Sequence, residues 1–330
     1  MVRLSRKAEG DGRSALARAR AISTLGPLLA LILASVFFTT RSDRFLTTDN
    51  LSLVVQQVAV VGIIAIGQTL IILTAGIDLS CGAVMAFGTI VMTRLAVTHG
   101  LNPFESIALG LGTCTAFGLL NGLLVTGLRL PPFIVTLGTL NIAFALTHII
   151  SKEETIANLP NPLTFFGNTF QVTTTSITYG SVLALGLALV TWFVLTQTIG
   201  GRHIYAAGNN PDAARLAGVR VRRVLISVYT SAGLLYGIAA LVLIGRTGVG
   251  DPQAGQSDNL NSITAVVVGG TSLFGGRGGV VGTLIGTLIV GIFRNGLQLM
   301  GVAAIYQFLI TGVLVIVAVA VDQVSRRGRA

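Results

Sequence analysis

The sequence predicts an all-α protein, a polytopic bundle of transmembrane helices. Three observations carry that expectation. Hydrophobic residues make up 52% of the 330-residue chain and charged residues only 10%. A soluble domain carries about 25% charged residues, enough to coat its surface, and this chain cannot. There are 41 glycines and few aromatic residues, a composition suited to helices that approach closely in lipid. Long apolar runs are separated by short polar islands, and those islands hold most of the basic residues. The net charge of +10 comes chiefly from arginines in these islands. That spacing points to anionic lipid headgroups as the partner and argues against nucleic acid.

A helix needs about 20 apolar residues to cross the hydrocarbon core. Segments near that length fall at 22–40, 51–73, 81–98, 107–127, 133–150, 179–198, 224–245, 263–274, 280–299 and 303–321. Residues 1–21 read as a basic N-terminal tail, 22–321 as one transmembrane domain and 322–330 as a basic C-terminal tail. The eighth segment is short, and the glycine-rich stretch after it reads as a candidate re-entrant turn. With a cytoplasmic N-terminus, sixteen of the 22 Lys and Arg residues fall on the inner side: the N-terminal tail, Arg129, the cluster 202–223, Arg277 and the C-terminal tail. Ten crossings place both basic termini inside, as the positive-inside rule asks.

The longest inner loop spans 199–223. Asn209-Asn210-Pro211-Asp212 reads as a helix start: Asn caps, Pro fits the first position and Asp complements the helix dipole. Ala213, Ala214, Arg215, Leu216 and Ala217 sustain about two turns. Gly218 suits a left-handed C-terminal cap, and Gly208 bounds the other side. Such a helix is too short to persist alone in water. It is either a connector on the membrane surface or a docking helix that fits a groove on a cytoplasmic partner. Capping at both ends and the small face with its Leu216 knob favour docking.

Catalytic chemistry is sparse. Neither Lys7 nor Lys152 precedes Ser or Thr, so no Walker A loop occurs and ATP hydrolysis of that type is excluded. The three histidines are scattered, no metal-ligand pattern is present, and Cys81 and Cys114 read as small buried hydrophobes. Asp78 stands beside an apolar run with no acidic neighbour. Either it caps the helix that starts near Cys81, or it lines the route or gate of a midplane site at a broken helix. Gln68, Asn121, Asn141, Asn295 and Gln298 are further candidates for a translocation path, since neutral amides suit an uncharged polyol. Interhelical hydrogen bonding is the alternative for each. Gly278, Gly282 and Gly286 fall four apart and read as a helix-packing face.

Gly76-Ile77-Asp78-Leu79-Ser80, Pro132-Phe133-Ile134-Val135-Thr136-Leu137-Gly138, the run from Gly269 to Gly276, and Asn295-Gly296-Leu297 occur in order along the chain. Together with Ala213-Ala214 followed by Gly218, they resemble the ribose/xylose/arabinose branch of ABC-importer permeases over roughly 50 to 320. Ala75 departs from that pattern, which often shows two glycines there, as does Cys81, where a small aliphatic residue is common. The resemblance implies an inner-membrane permease, a homodimer, a separate cytoplasmic ATPase and an extracytoplasmic sugar-binding protein. It also implies that this chain binds no cofactor and that the ATP is used by the partner subunit, docked at 208–218. An ion-coupled secondary transporter and a passive channel or membrane scaffold are the rival readings.

Overall fold

The protein is described here from a computed structural model covering residues 26–172 and 175–327. The tail 1–21 lies outside the described residues. The chain runs through α1 (Gly26–Arg41), α2 (Thr48–Leu73), α3 (Cys81–Val97), α4 (Pro103–Gly127), α5 (Pro132–Ser151) and the short α6 (Asn161–Thr164). A two-stranded ribbon follows, β1 (Thr169–Val172) and β2 (Thr175–Thr178). Then come α7 (Tyr179–Gln197), α8 (Ile199–Asn209), α9 (Pro211–Leu216), α10 (Val221–Thr247), α11 (Asp258–Val268), α12 (Val280–Leu299) and α13 (Ala304–Arg327).

The helical expectation holds, and among the described residues six helices (α2, α4, α5, α7, α10 and α12) are long and apolar enough to cross a membrane. Three features differ from the sequence reading. The Thr-rich segment before α7 forms an antiparallel ribbon pairing Thr169 with Thr178 and Phe170 with Ile177, because β-branched and aromatic residues favour extended pairing. The eighth apolar segment is helical earlier than expected, from Asp258, and gives way to a turn after Val268. The predicted C-terminal tail from 322 is helical through Arg327.

Depth in the bundle is unequal. The apolar stretches of α2 and α10 are 72% buried, against 28% for α4 and α5 and 22% for α7. The first two are therefore the central pair, and the others present one apolar face outward. Lipid tails are as apolar as leucine, so burial alone does not draw helices together; close contact through small residues does. Gly118 of α4 lies against α10 so tightly that a methyl group there would stand 3.0 Å from the Cα of Gly233. Gly286 of α12 lies directly on the Ala265 carbonyl of α11, and Gly282 on that of Gly269. Gly278, the third glycine of that predicted face, precedes α12 and turns at φ +124° instead of joining the helix.

The helices set up two ends. At the ribbon end, Ser52 of α2 donates to the Ser176 carbonyl, and Ile156 bridges Gly250. At the other end, the Gly276 N–H donates to the Leu73 carbonyl at 2.9 Å, beside α8. The connection from α10 to α11 dips inward along α3. Gly250 rests on Thr93 near one end of α3, while Gly255 rests on Gly82 in its first turn, about 16 Å deeper at 1.5 Å per residue. α11 therefore starts inside the bundle.

Candidate functional site

Two constructions at the α8–α9 end and above it carry the polar chemistry. The first is α9. Asn210 caps it, its Oδ1 accepting from the N–H groups of Asp212 at 3.1 Å and Ala213 at 3.0 Å, with Pro211 in the first position. Asp212 pairs with Arg215 at 2.6 Å, and both side chains are exposed. The helix closes with a left-handed Gly218 at φ +84°. Gly218 N–H donates to the Arg215 carbonyl and Val219 N–H to that of Ala214, the paired bonds of a Schellman cap.

The helix, Pro211–Leu216, is close to the two turns expected; Ala217 forms its C-cap, and Gly208 and Asn209 belong to α8. By sequence 199–209 reads as loop, whereas the structure makes it helical. Its helical signal was present in Thr198, which caps α8, and in Ile204, Ala207 and Gly208, buried at helical spacing. Those cues were masked by two early glycines and a basic residue. α9 packs Ala214 against Ala207 and Val221, so Ala214 faces inward and does not belong to a presented small face. Leu216 is 91% exposed. Ala213 and Ala217 are exposed beside it.

The second construction surrounds Asp78 in the break between α2 and α3. α2 ends in its own Schellman cap, with Gly76 N–H donating to the Ile71 carbonyl and Ala75 N–H to that of Ile72. Ala75 takes the left-handed position at φ +60°, which glycine enters without cost. Gly76 leaves room for the Tyr229 hydroxyl, which a methyl group would meet at 2.7 Å.

Asp78 is 1% exposed. Its Oδ1 accepts from the Ser80 N–H at 2.7 Å and the Ser80 hydroxyl at 2.6 Å, and its Oδ2 accepts from the Tyr236 hydroxyl at 3.2 Å. Among the described residues no Lys or Arg pairs with it. Its two oxygens are met by these three donors, one of them a backbone N–H at the start of α3. This is a local turn that braces the helix start, with Ser80 in the capping position.

The structure brings Gln68 and Asn121 to this centre. Gln68 Nε2 donates to the Asp78 carbonyl, and Asn121 Nδ2 donates to the Ser80 hydroxyl at 3.2 Å. The Thr136 hydroxyl of α5 accepts from the Leu79 N–H at 3.1 Å and donates to the Ile77 carbonyl. Three buried polar atoms here make no hydrogen bond among the described residues: Gln68 Oε1, Asn121 Oδ1 and the Tyr229 hydroxyl. Ser80 and Thr136 stand within the motifs quoted from the sequence but carry no role there, and Tyr229 and Tyr236 are absent from the sequence-based candidates. The seven-residue spacing of two tyrosines on one face of an apolar helix was the available signal.

The other amides lie elsewhere. Asn295 forms a buried reciprocal amide pair with Asn50, at 2.8 and 3.0 Å, which ties α12 to the start of α2. Asn141 is exposed on α5 and donates to the Leu137 carbonyl of its own helix, and Gln298 is exposed near the end of α12.

A bundle with a broken helix at its core, a buried polar centre and a preformed surface helix at one end defines an integral-membrane transport permease. The chain belongs to the family described as branched-chain amino acid transport system / permease component, which matches residues 50–319. It is 46% identical over 308 residues to the fructose import permease protein FrcC of Rhizobium meliloti, covering 91% of this chain and 85% of that one. It is 39% identical over 301 residues to the ribose import permease protein RbsC of Bacillus subtilis, covering 91% and 92%. It is 36% identical over 298 residues to the D-allose transport system permease protein AlsC of Escherichia coli, covering 90% of each. The chain is thus a transport subunit and not an enzyme, a multi-pass protein of the bacterial inner membrane.

Proposed function

We propose that this chain is the transmembrane subunit of an ATP-driven, binding-protein-dependent importer of a pentose or hexose, working by alternating access. The import permeases it resembles are named for fructose, ribose and allose. A separate cytoplasmic ATPase uses the ATP, this chain binds no cofactor, and an extracytoplasmic binding protein delivers the sugar to a homodimer of the chain set in lipid. The observation that carries the reading is α9: a helix capped at both ends whose one large apolar side chain, Leu216, is 91% exposed. A solvated connector gains nothing from that arrangement, whereas a docking helix needs it.

In this reading the α8–α9 end is cytoplasmic and the ribbon faces outward toward the binding protein. Ten crossings place both termini inside. α11, with eleven residues, spans only about 16 Å, and the connection descending along α3 completes its crossing. Gln68, Asp78 and Asn121 act inside one protomer as a polar centre at the helix break. Asn141 and Gln298, exposed on the chain surface, keep the role of path candidates.

Proteoliposomes containing the chain, its ATPase and its binding protein test the proposal. Sugar accumulates against a gradient only when ATP is present, and an uncoupler leaves uptake intact. Uptake that needs no ATPase and collapses with the uncoupler assigns the chain to ion-coupled transport. Equilibration without accumulation assigns it to a channel.

A further inference from the structure

Three separate backbones meet beside α9 with no side chain between them. Gly208, in the last turn of α8, lies on the Leu73 carbonyl at the end of α2, and a methyl group there would stand 3.0 Å from the Gly276 nitrogen. That same nitrogen donates to the Leu73 carbonyl at 2.9 Å. Gly275, at φ +81°, sits where any Cβ would meet the Gly208 carbonyl oxygen and the Ala75 nitrogen at 2.8 Å each. Gly276, at φ +71°, sits where a Cβ would meet the Cβ of Asn209 at 2.8 Å and its Cα at 2.9 Å. The Tyr205 hydroxyl of α8 also donates to the Gly278 carbonyl at 2.9 Å.

α9 is joined directly to this junction. Asn210 both ends α8 and caps α9, and Ala214 packs on Ala207. On the far side, Leu73 is followed within five residues by Asp78, whose surroundings hold three buried polar atoms with unused hydrogen-bonding capacity. Side chains turn about their rotamers and absorb small movements, while backbones in van der Waals contact do not.

We propose that Gly208, Gly275 and Gly276 are positioning residues for transport: they make α8–α9, the 272–279 turn and the end of α2 move as one body. A push on α9 is then delivered to the α2–α3 break, where the polar centre changes partners. This rests on the docking role of α9 argued above.

Gly208→Ala in the complete transporter tests it. The added methyl overlaps the Leu73 carbonyl and separates α8 from α2; Gly208, which the sequence places in the docking segment, is buried in α8 and lies outside the surface α9 presents. The ATPase still co-purifies and hydrolyses ATP, and sugar imported per ATP falls by about fivefold or more. A smaller number of folded copies lowers both rates together and leaves that ratio unchanged. An unchanged ratio in the variant overturns the proposal.

If Gly208→Ala does not insert, a paired variant carries the test: Tyr205→Cys with Gly279→Cys, joined by a short bismaleimide. A Cβ at Gly279 meets only the Tyr205 hydroxyl at 3.5 Å, so the site accepts a side chain. The native Cys81 and Cys114 are fully buried. The bridged protein imports sugar with the wild-type yield per ATP, because the two segments keep their spacing through the cycle. Arrest on bridging, or failure of two individually labelled thiols to bridge, refutes a shared rigid body. Loss of ATP-driven uptake in the wild-type protein would instead count against the transport reading itself.

Discussion

Leu216 and Ala214 are two residues apart on a six-residue helix, and the structure assigns them opposite fates on mutation. Leu216 is 91% exposed, and Ala214 is 5% exposed against Ala207 and Val221. Leu216→Ala removes a side chain with almost no contacts in this chain, so stability changes by less than about 0.5 kcal/mol. If Leu216 is buried on docking, the same change removes about 1.5–3 kcal/mol of apolar burial from the complex. At about 1.4 kcal/mol per decade, that weakens ATPase binding by roughly 10- to 150-fold. Ala214→Leu inserts three heavy atoms into a filled contact and costs about 1–3 kcal/mol of local stability. Both variants are read by thermal unfolding in detergent and by titration of the labelled ATPase subunit. The expected pattern is an unchanged melt with weakened binding for Leu216→Ala, and a lowered melt for Ala214→Leu. Wild-type affinity in Leu216→Ala refutes the docking role of the exposed face.

Other outcomes follow from the same geometry. Ala75→Gly relieves a left-handed alanine at the end of α2 and raises stability by about 1 kcal/mol, seen as a higher melting temperature; no rise would show that the φ of +60° carries no cost. Asn295→Leu strands the Asn50 side chain and lowers stability by about 1 kcal/mol, whereas adding Asn50→Leu leaves only the Phe45 carbonyl unpaired; a double-mutant cycle reads the coupling, expected at about 0.6 to 1.7 kcal/mol. Gly118→Leu forces α4 off α10 and abolishes a monodisperse gel-filtration peak, while Gly112→Leu, with open space around its Cβ, leaves the peak intact. Tyr236→Phe removes one of three donors to Asp78 and lowers the melt by the equivalent of about 0.5–1.5 kcal/mol; an unaltered melt would mean that the hydroxyl contributes nothing to holding the Asp78 side chain.

Much of the architecture was legible in the chain because the relevant forces are local. Apolar runs long enough to cross lipid must be helical, since no other backbone arrangement within a single segment satisfies its own N–H and C=O groups there. Among the described residues helices occupy those runs, except that the run at 263–274 is helical only through Val268. The ends of α9 were legible for the same reason: Asn210, Pro211 and Gly218 act on their own neighbouring backbone. Asp78 stood out because a lone carboxylate beside an apolar stretch is costly wherever it lies.

Tertiary structure alone decided which polar residues meet. Gln68, Asn121 and Asn295 are all amides within apolar helices, yet two converge on Asp78 and the third pairs with Asn50 across 245 positions of sequence. Helix rotation and depth set those partners, and in lipid an apolar residue faces outward as readily as inward, so hydropathy does not reveal the rotation. The fate of Ala214 and Leu216 was settled the same way, by what packs on α9. The meeting of Gly208, Leu73 and Gly276 was likewise invisible along the chain, because three distant backbones had to be brought into contact before the lack of side chains at two of them acquired a meaning.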